Sequence, residues 1–171
     1  MVAAAVATAW AADHEGVIMQ LTSSAFTHQT SIPARYTCEG KDLSPPLAWT
    51  EPPPGTKSFA LIVDDPDAPA GTWVHWVLYN VPTGSRSLPE GLAKTPTLTD
   101  GSQAGLNDFH RSGCAGPCPP AGPAHHYSFR LYALDTVLNL PTETRKADLE
   151  RGLQGHVLTH AELIGLYRRS R

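Results

Sequence analysis

The sequence predicts an all-β-dominated fold of short antiparallel strands closed by two short C-terminal helices. Three observations predict it. Apolar runs Phe59–Val63 and Val77–Val81 flank a loop rich in proline and aspartate, as in a strand–loop–strand unit. Residues 125–135 alternate with a period of two, placing His125, Tyr127, Phe129, Leu131 and Ala133 on one face. Finally, 16 prolines and 14 glycines in 171 residues supply many turns and favour short strands over long helices.

At this length the chain is expected to form one domain, 19–171, preceded by an extension, 1–18. Met1–Ala12 is alanine-rich, and Ala9-Trp10-Ala11 has the A-x-A form of a signal-peptidase site. That feature favours a periplasmic over a cytoplasmic location, although no Lys or Arg precedes it. Gln20–Ser24 begins the first strand. Residues 32–40 read as an extended segment ending in a turn, and 44–49 as a proline-stiffened segment closing on Trp49. Glu51–Gly55 connects to the strand at Ser58–Val63. The stretch 82–122 is irregular, and at such length it should be functional or carry short elements of its own. Lys146–Leu153 is expected to be helical, ending at Gly155. A second helix is expected over Thr159–Arg169: Thr159-His160-Ala161-Glu162 has capping-box spacing, and Leu163, Leu166 and Tyr167 form an apolar stripe.

Composition excludes several roles. A net charge of −3 offers no basic patch for nucleic acid or an anionic membrane surface. No apolar run reaches the length of a transmembrane segment. Eight histidines against 13 Lys+Arg are candidates for anion binding or proton transfer. Three cysteines, Cys38, Cys114 and Cys118, allow one bridge and one free thiol, or three free thiols.

The polar constellation centres on residues 64–76. Asp64, Asp65 and Asp67 crowd one loop, and like charges so close raise a pKa unless cations or donors attend them. An Asx-turn with solvated aspartates would explain the loop alone. The alternative is a carboxylate aimed into a pocket beside His75. By strand period His75 shares a face with Trp73, Val77 and Tyr79, with Trp76 opposite. Carboxylate, imidazole and phenol together can hold a phosphate or carboxylate, or run acid–base chemistry. The rigid segment 113–122 suits a pocket rim or a plain surface loop.

Asp65-Pro66-Asp67-Ala68-Pro69, Trp73-Val74-His75-Trp76, and Gly116-Pro117-Cys118-Pro119-Pro120 followed by His125-His126-Tyr127 resemble the phosphatidylethanolamine-binding protein family, in its bacterial and archaeal Raf-kinase-inhibitor-like branch. The resemblance spans about Leu21 to Arg168. It implies a Greek-key β-sandwich with C-terminal helices and an anion pocket for phosphate, acetate or a phospholipid headgroup. It implies Asp65, His75, His125 and Tyr127 in that pocket, Asp67 and Trp73 as supporting wall, and Gly116 and Pro117 as rim. Cys38 and Cys118 both lie in family-like motifs, which points to their pairing with Cys114 left free; Cys114–Cys118 is the competing pair.

The leading expectation is therefore a small-molecule binding protein for an anionic or phosphorylated ligand. The alternative is an enzyme using the same Asp/His/His/Tyr set, though no G-x-S-x-G elbow or G-x-x-x-x-G-K-[ST] phosphate loop is present. Kinase- or protease-inhibitor-like regulation is a third class, with the protein partner unknown and a homodimer open. His75, His125, His126, Cys114 and Cys118 could ligate a metal, but their spacing matches no zinc pattern, so neither metal nor cofactor is expected.

Overall fold

The computed structural model describes residues 18–170. The signal-peptide reading of Ala9-Trp10-Ala11 lies outside them. In chain order the elements are β1 (Leu21–Thr22), β2 (Thr30–Ser31), β3 (Leu47–Trp49), β4 (Ser58–Asp65), β5 (Trp73–Pro82), β6 (Ser87–Leu88), β7 (Gln103–Ala104), β8 (His125–Leu134), α1 (Lys146–Leu153) and β9 (Val157–Tyr167). They form a three-stranded sheet, β1-β3-β6, and a six-stranded sheet, β2-β9-β8-β4-β5-β7. Among the described residues only the short β2–β9 contact is parallel.

The strand β4 is buried at every position because both faces of the large sheet are covered. On one side Phe59, Leu61 and Val63 join Leu21, Leu47 and Trp49 of the small sheet in one core. On the other, Ala60 and Ile62 pack with Val77, Tyr79 and the α1 residues Leu149 and Leu153. An unbroken apolar run is the expected signature of a strand covered on both faces. Asp64 closes that run: Lys146 Nζ at the start of α1 donates to its Oδ2 at 2.5 Å, and Arg130 of β8 donates to the same oxygen. One carboxylate thus ties the helix to the middle of the sheet.

The second C-terminal helix is replaced by a strand. β9 runs antiparallel to β8 from His125↔Tyr167 to Leu134↔Val157. Ala161, Leu163, Gly165 and Tyr167 are buried, whereas His160 and Glu162, on either side of Ala161, are exposed. That is a period of two, and the Leu163–Leu166–Tyr167 spacing fits a helix only locally. Gly165 decides the matter: a Cβ there would lie 2.5 Å from Ile32 Cγ1, a close approach that favours glycine in a packed strand. Ten registered pairs with β8 override the weak local helical signal. The helix over Lys146–Leu153 forms, with Asp148 Oδ2 accepting the Arg145 backbone N–H at 3.1 Å.

The long connection carries β6, β7 and isolated bridges Thr97↔Gln103 and Leu106↔Ser112. Asn107 organises its tip. Its Oδ1 accepts from the backbone N–H groups of Phe109 and Arg111 at 3.0 and 3.2 Å, and its Nδ2 donates to the Gly113 carbonyl at 3.0 Å. Further on, Cys118 is disulfide-bonded to Cys38, with Cα atoms 5.4 Å apart. Cys114 is free and buried, and burial pushes its thiol up to about 12, so it stays protonated and unreactive.

Candidate functional site: a pocket at the end of the large sheet

A β-bulge aims His75. The β4–β5 pairing slips between Val63↔Trp76 and Asp64↔Val74, leaving His75 as the extra residue. Bulges re-aim side chains in this way. The plain alternation expected of the strand therefore fails here. Val77 and Tyr79 pack on the helix side, whereas Trp76 belongs to the core between the sheets. His75 lies on Trp76's side, its ring edge-on to Tyr127 with centroids 5.2 Å apart. Trp73 remains with His75, and both face the same cavity.

That cavity measures about 290 Å³. Asp65 from β4, Trp73 and His75 from β5, and His125 and Tyr127 from β8 line it, with Phe109 from the long connection. Ala68, Pro69 and Ala70 of the β4–β5 loop and Cys118, Pro119 and Pro120 complete the wall. Among the described residues the lining holds one carboxylate and two imidazoles but no Lys or Arg.

The three loop carboxylates avoid mutual repulsion by taking separate partners. Asp64 faces α1, as described. Asp65, 3% exposed, accepts the His125 Nδ1–H at 2.8 Å and the Asp67 backbone N–H at 2.9 Å. The second of these is an Asx-turn, so the plain turn and the pocket-directed carboxylate coexist. Asp67 takes the backbone N–H and Nδ1 of His126 at 2.8 and 2.7 Å. The His126 bond holds the Asp67 carboxyl below the usual carboxylate range.

His75, 3% exposed, meets the Ala115 carbonyl through Nδ1 at 2.8 Å. A carbonyl can only accept, so Nδ1 carries the proton and Nε2 of the neutral ring is an acceptor. Burial pushes the His75 pKa below its ordinary value, outweighing the Ala115 carbonyl and the Asp65 charge. Tyr127, 1% exposed, has a buried hydroxyl that approaches the Asp65 carboxylate without reaching close hydrogen-bond geometry. Burial first, then the Asp65 charge and the hydrogen bond to its carboxylate, pushes the Tyr127 pKa up, so the phenol stays a donor. The Trp73 indole N–H is a buried donor without a partner.

The depressed His75 pKa has a consequence for folding. The unfolded chain takes up a proton at its ordinary value of 6.5, while the folded chain resists until lower pH. The resulting contribution to stability is full above that value and is lost as pH falls through the folded pKa. Thermal melts from pH 7 down to about 5, bracketing this ordinary range, should show a shallower decline for His75→Gln than for the wild type. Equal slopes would show that His75 is freely protonated in the fold.

Three expected positions sit elsewhere. Asp67 is no wall of the cavity; its bonds to His126 tie the β4–β5 loop to the start of β8. Gly116 lies behind the rim, where its N–H donates to Asp42 Oδ1 at 2.6 Å and a Cβ would stand 2.2 Å from the Tyr36 carbonyl oxygen. Pro117 accepts the Cys38 N–H at 3.1 Å and borders a smaller cleft beneath. The rim is instead Cys118-Pro119-Pro120. Sequence reading missed Phe109, which stacks edge-on against Trp73 and His75 at 5.5 Å. Its signal was an aromatic residue held inside an otherwise polar, glycine-rich stretch.

Fold and cavity together define a two-sheet β protein that carries a small pocket walled by an Asp–His pair, a second imidazole and a phenol. The chain belongs to the phosphatidylethanolamine-binding protein family, whose model matches residues 22–168. A UPF0098 protein of Methanothermobacter thermautotrophicus is 52% identical over 88% of this chain and 99% of its own length. Another, from Aquifex aeolicus, is 47% identical over 90% and 91%. Among solved structures, a phosphatidylethanolamine-binding protein homologue from Chlamydia trachomatis has 39% identity and a TM-score of 0.82, covering 90% of this chain and 99% of that one. Escherichia coli YbcL, described as a member of the mammalian family, has 33% identity and a TM-score of 0.83, covering 89% and 99%.

Proposed function

We propose that this protein binds a small ligand through an oxyanion head, of phosphate or carboxylate type, seated among Asp65, His75, His125 and Tyr127. The observation that carries this reading is the convergence on one cavity of His125, oriented by Asp65, with His75 and Tyr127. A buried donor without a partner is costly, and a site that keeps one gains from a ligand oxygen that accepts it. The Trp73 N–H is such a donor on the same cavity and supports the same reading. Phe109, Pro119 and Pro120 supply an apolar wall for the organic part of the ligand. A phospholipid headgroup and a soluble phosphorylated metabolite share this chemistry. The scaffold that we infer is a Greek-key sandwich, supported by β8 returning to lie beside β4 in the order β8-β4-β5-β7.

Binding is favoured over catalysis by a serine, threonine or cysteine nucleophile because, among the described residues, the lining contains none of these as a free side chain. The Cys38–Cys118 bond supports folding in an oxidising compartment. Titration calorimetry with inorganic phosphate tests the assignment. His125→Ala removes a hydrogen bond to a charged ligand and should weaken binding by about 1.5–3 kcal/mol. Unchanged affinity in that variant would remove His125 from the site.

A further inference from the structure

We propose that the Cys38–Cys118 bond is a redox gate on the pocket: a dithiol reductant opens the bond, frees the strap 118–124 that forms one wall, and loosens the hold on a ligand's organic part. The proposal rests on the oxyanion reading above for its ligand and concerns how that site is regulated. It begins from how unevenly the two ends of the bond are held. Cys38 sits in an anchored turn. The Thr37 N–H and hydroxyl donate to the Ala34 carbonyl at 3.0 and 2.9 Å, and the Gly40 N–H donates to the Thr37 carbonyl at 3.0 Å. Glu39 accepts from the Ser170 hydroxyl at 2.6 Å and from the Tyr167 hydroxyl. The Cys118 end has no such support. The chain is fixed at Pro117, whose carbonyl accepts the Cys38 N–H, and again at His125, which pairs with Tyr167 in the sheet and with Asp65. Between those points, residues 118–124 make no hydrogen bond to any described residue. Pro119, Pro120 and Pro123 have no N–H to give. Of the strap only Pro119 is buried. The disulfide is therefore the covalent tie that holds this wall to the body of the protein.

Access points the same way. Cys38 and Cys118 are both exposed, and exposed disulfides are the labile and regulatory ones. A thiolate of the reductant attacks one sulfur, forms a mixed disulfide and releases the other cysteine as a thiol. The reductant's second thiol then displaces the first cysteine. The protein gains two electrons and two protons, and the reductant leaves as its own disulfide. Cys114 takes no part, because it is buried and its thiol stays protonated. The gate thus has two states. In the oxidised state Cys118, Pro119 and Pro120 are already in place on the cavity wall. In the reduced state a ligand must order the strap as it binds, and that ordering is subtracted from its affinity. Linkage makes the effect reciprocal: a ligand that prefers the oxidised form by some factor makes the bond harder to reduce by the same factor.

The test uses the full chain, oxidised and reduced with dithiothreitol, and two probes: phenyl phosphate, whose ring reaches the apolar wall, and inorganic phosphate, which lacks one. Calorimetry should show phenyl phosphate binding the reduced protein about tenfold more weakly, the scale of ordering a few groups on binding. Inorganic phosphate should change far less. The double variant Cys38→Ser/Cys118→Ser should match the reduced protein and ignore dithiothreitol. Saturating phenyl phosphate should lower the midpoint potential of the bond by about 30 mV, the equivalent of tenfold for a two-electron couple. Amide relaxation confirms the cause: on reduction β8 and β9 stay as they were, while order parameters at Ala121, Gly122 and Ala124 fall below about 0.6. Equal affinity of phenyl phosphate for both forms would overturn the gate while the oxyanion reading stands. An equal loss for inorganic phosphate would place the effect at the Asp–His head and overturn the role of the strap. Loss of the β8–β9 signals on reduction would make the bond a purely structural one and overturn the gate as well. If neither probe binds the oxidised protein, the oxyanion reading falls and the gate with it.

Discussion

Replacing Cys38 and Cys118 with serine is expected to lower the unfolding free energy by about 2–4 kcal/mol. The bond links positions 80 residues apart, so it restrains a large part of the unfolded chain. Loop-closure entropy grows only slowly with length, and the chain-entropy estimate for a loop of this size is about 4 kcal/mol. The effect should reach the pocket as well. Cys118 is part of the cavity wall, and Cys38 follows the 3-10 turn Ala34–Tyr36, where the Cys38 N–H bonds the Pro117 carbonyl. The bond therefore clamps the segment 117–120 against a fixed turn. Denaturant melts of the oxidised protein, the reduced protein and the double variant measure the loss. The reduced wild type and the variant should agree, and both should fall below the oxidised form. Cys114 keeps its buried thiol throughout and should react only after unfolding. Oxidised and reduced forms of equal stability would remove the disulfide from the account.

Much of the scaffold was legible because the strands that build it are long and apolar. The runs at Phe59–Val63 and Val77–Val81 and the alternation from His125 to Ala133 correspond to β4, β5 and β8, which lie side by side at the centre of the large sheet. The C-terminal segment was misread because Leu163, Leu166 and Tyr167 satisfy a helical spacing as well as an interrupted strand spacing. What separates the two is the packing of Gly165 against Ile32, a contact across more than 130 residues that no local window contains.

The site was legible in its residue types and less so in its geometry. Asp65, His75, His125 and Tyr127 do line one cavity, and the Asp65–His125 bond joins side chains 60 residues apart. The bulge at His75 is hidden because it is a property of the β4–β5 register, and the nearly continuous apolar run of β5 alone marks no break in it. The resemblance puts the rim at Gly116 and Pro117, whereas Cys118-Pro119-Pro120 line the cavity and Gly116 is the point at which the chain passes against the Tyr36 carbonyl. Phe109 was missed because its position depends on Asn107, whose buried amide shapes the connection from within.

The pocket account stands most directly on Tyr127→Phe, measured for stability and for ligand affinity in the same preparation. In the free protein the variant loses a buried hydroxyl that approaches the Asp65 carboxylate without close hydrogen-bond geometry, and it keeps the ring's packing. It should therefore stay within about 1 kcal/mol of the wild type in stability. Binding should weaken, with phosphate affinity falling by at least about tenfold, because the removed donor is one that a ligand oxygen would use. Stability held together with affinity lost is the predicted result. A variant that is destabilised by more than about 1 kcal/mol and binds phosphate with unchanged affinity would show that the Tyr127 hydroxyl serves the fold, and would contradict the assignment of this cavity as an oxyanion site.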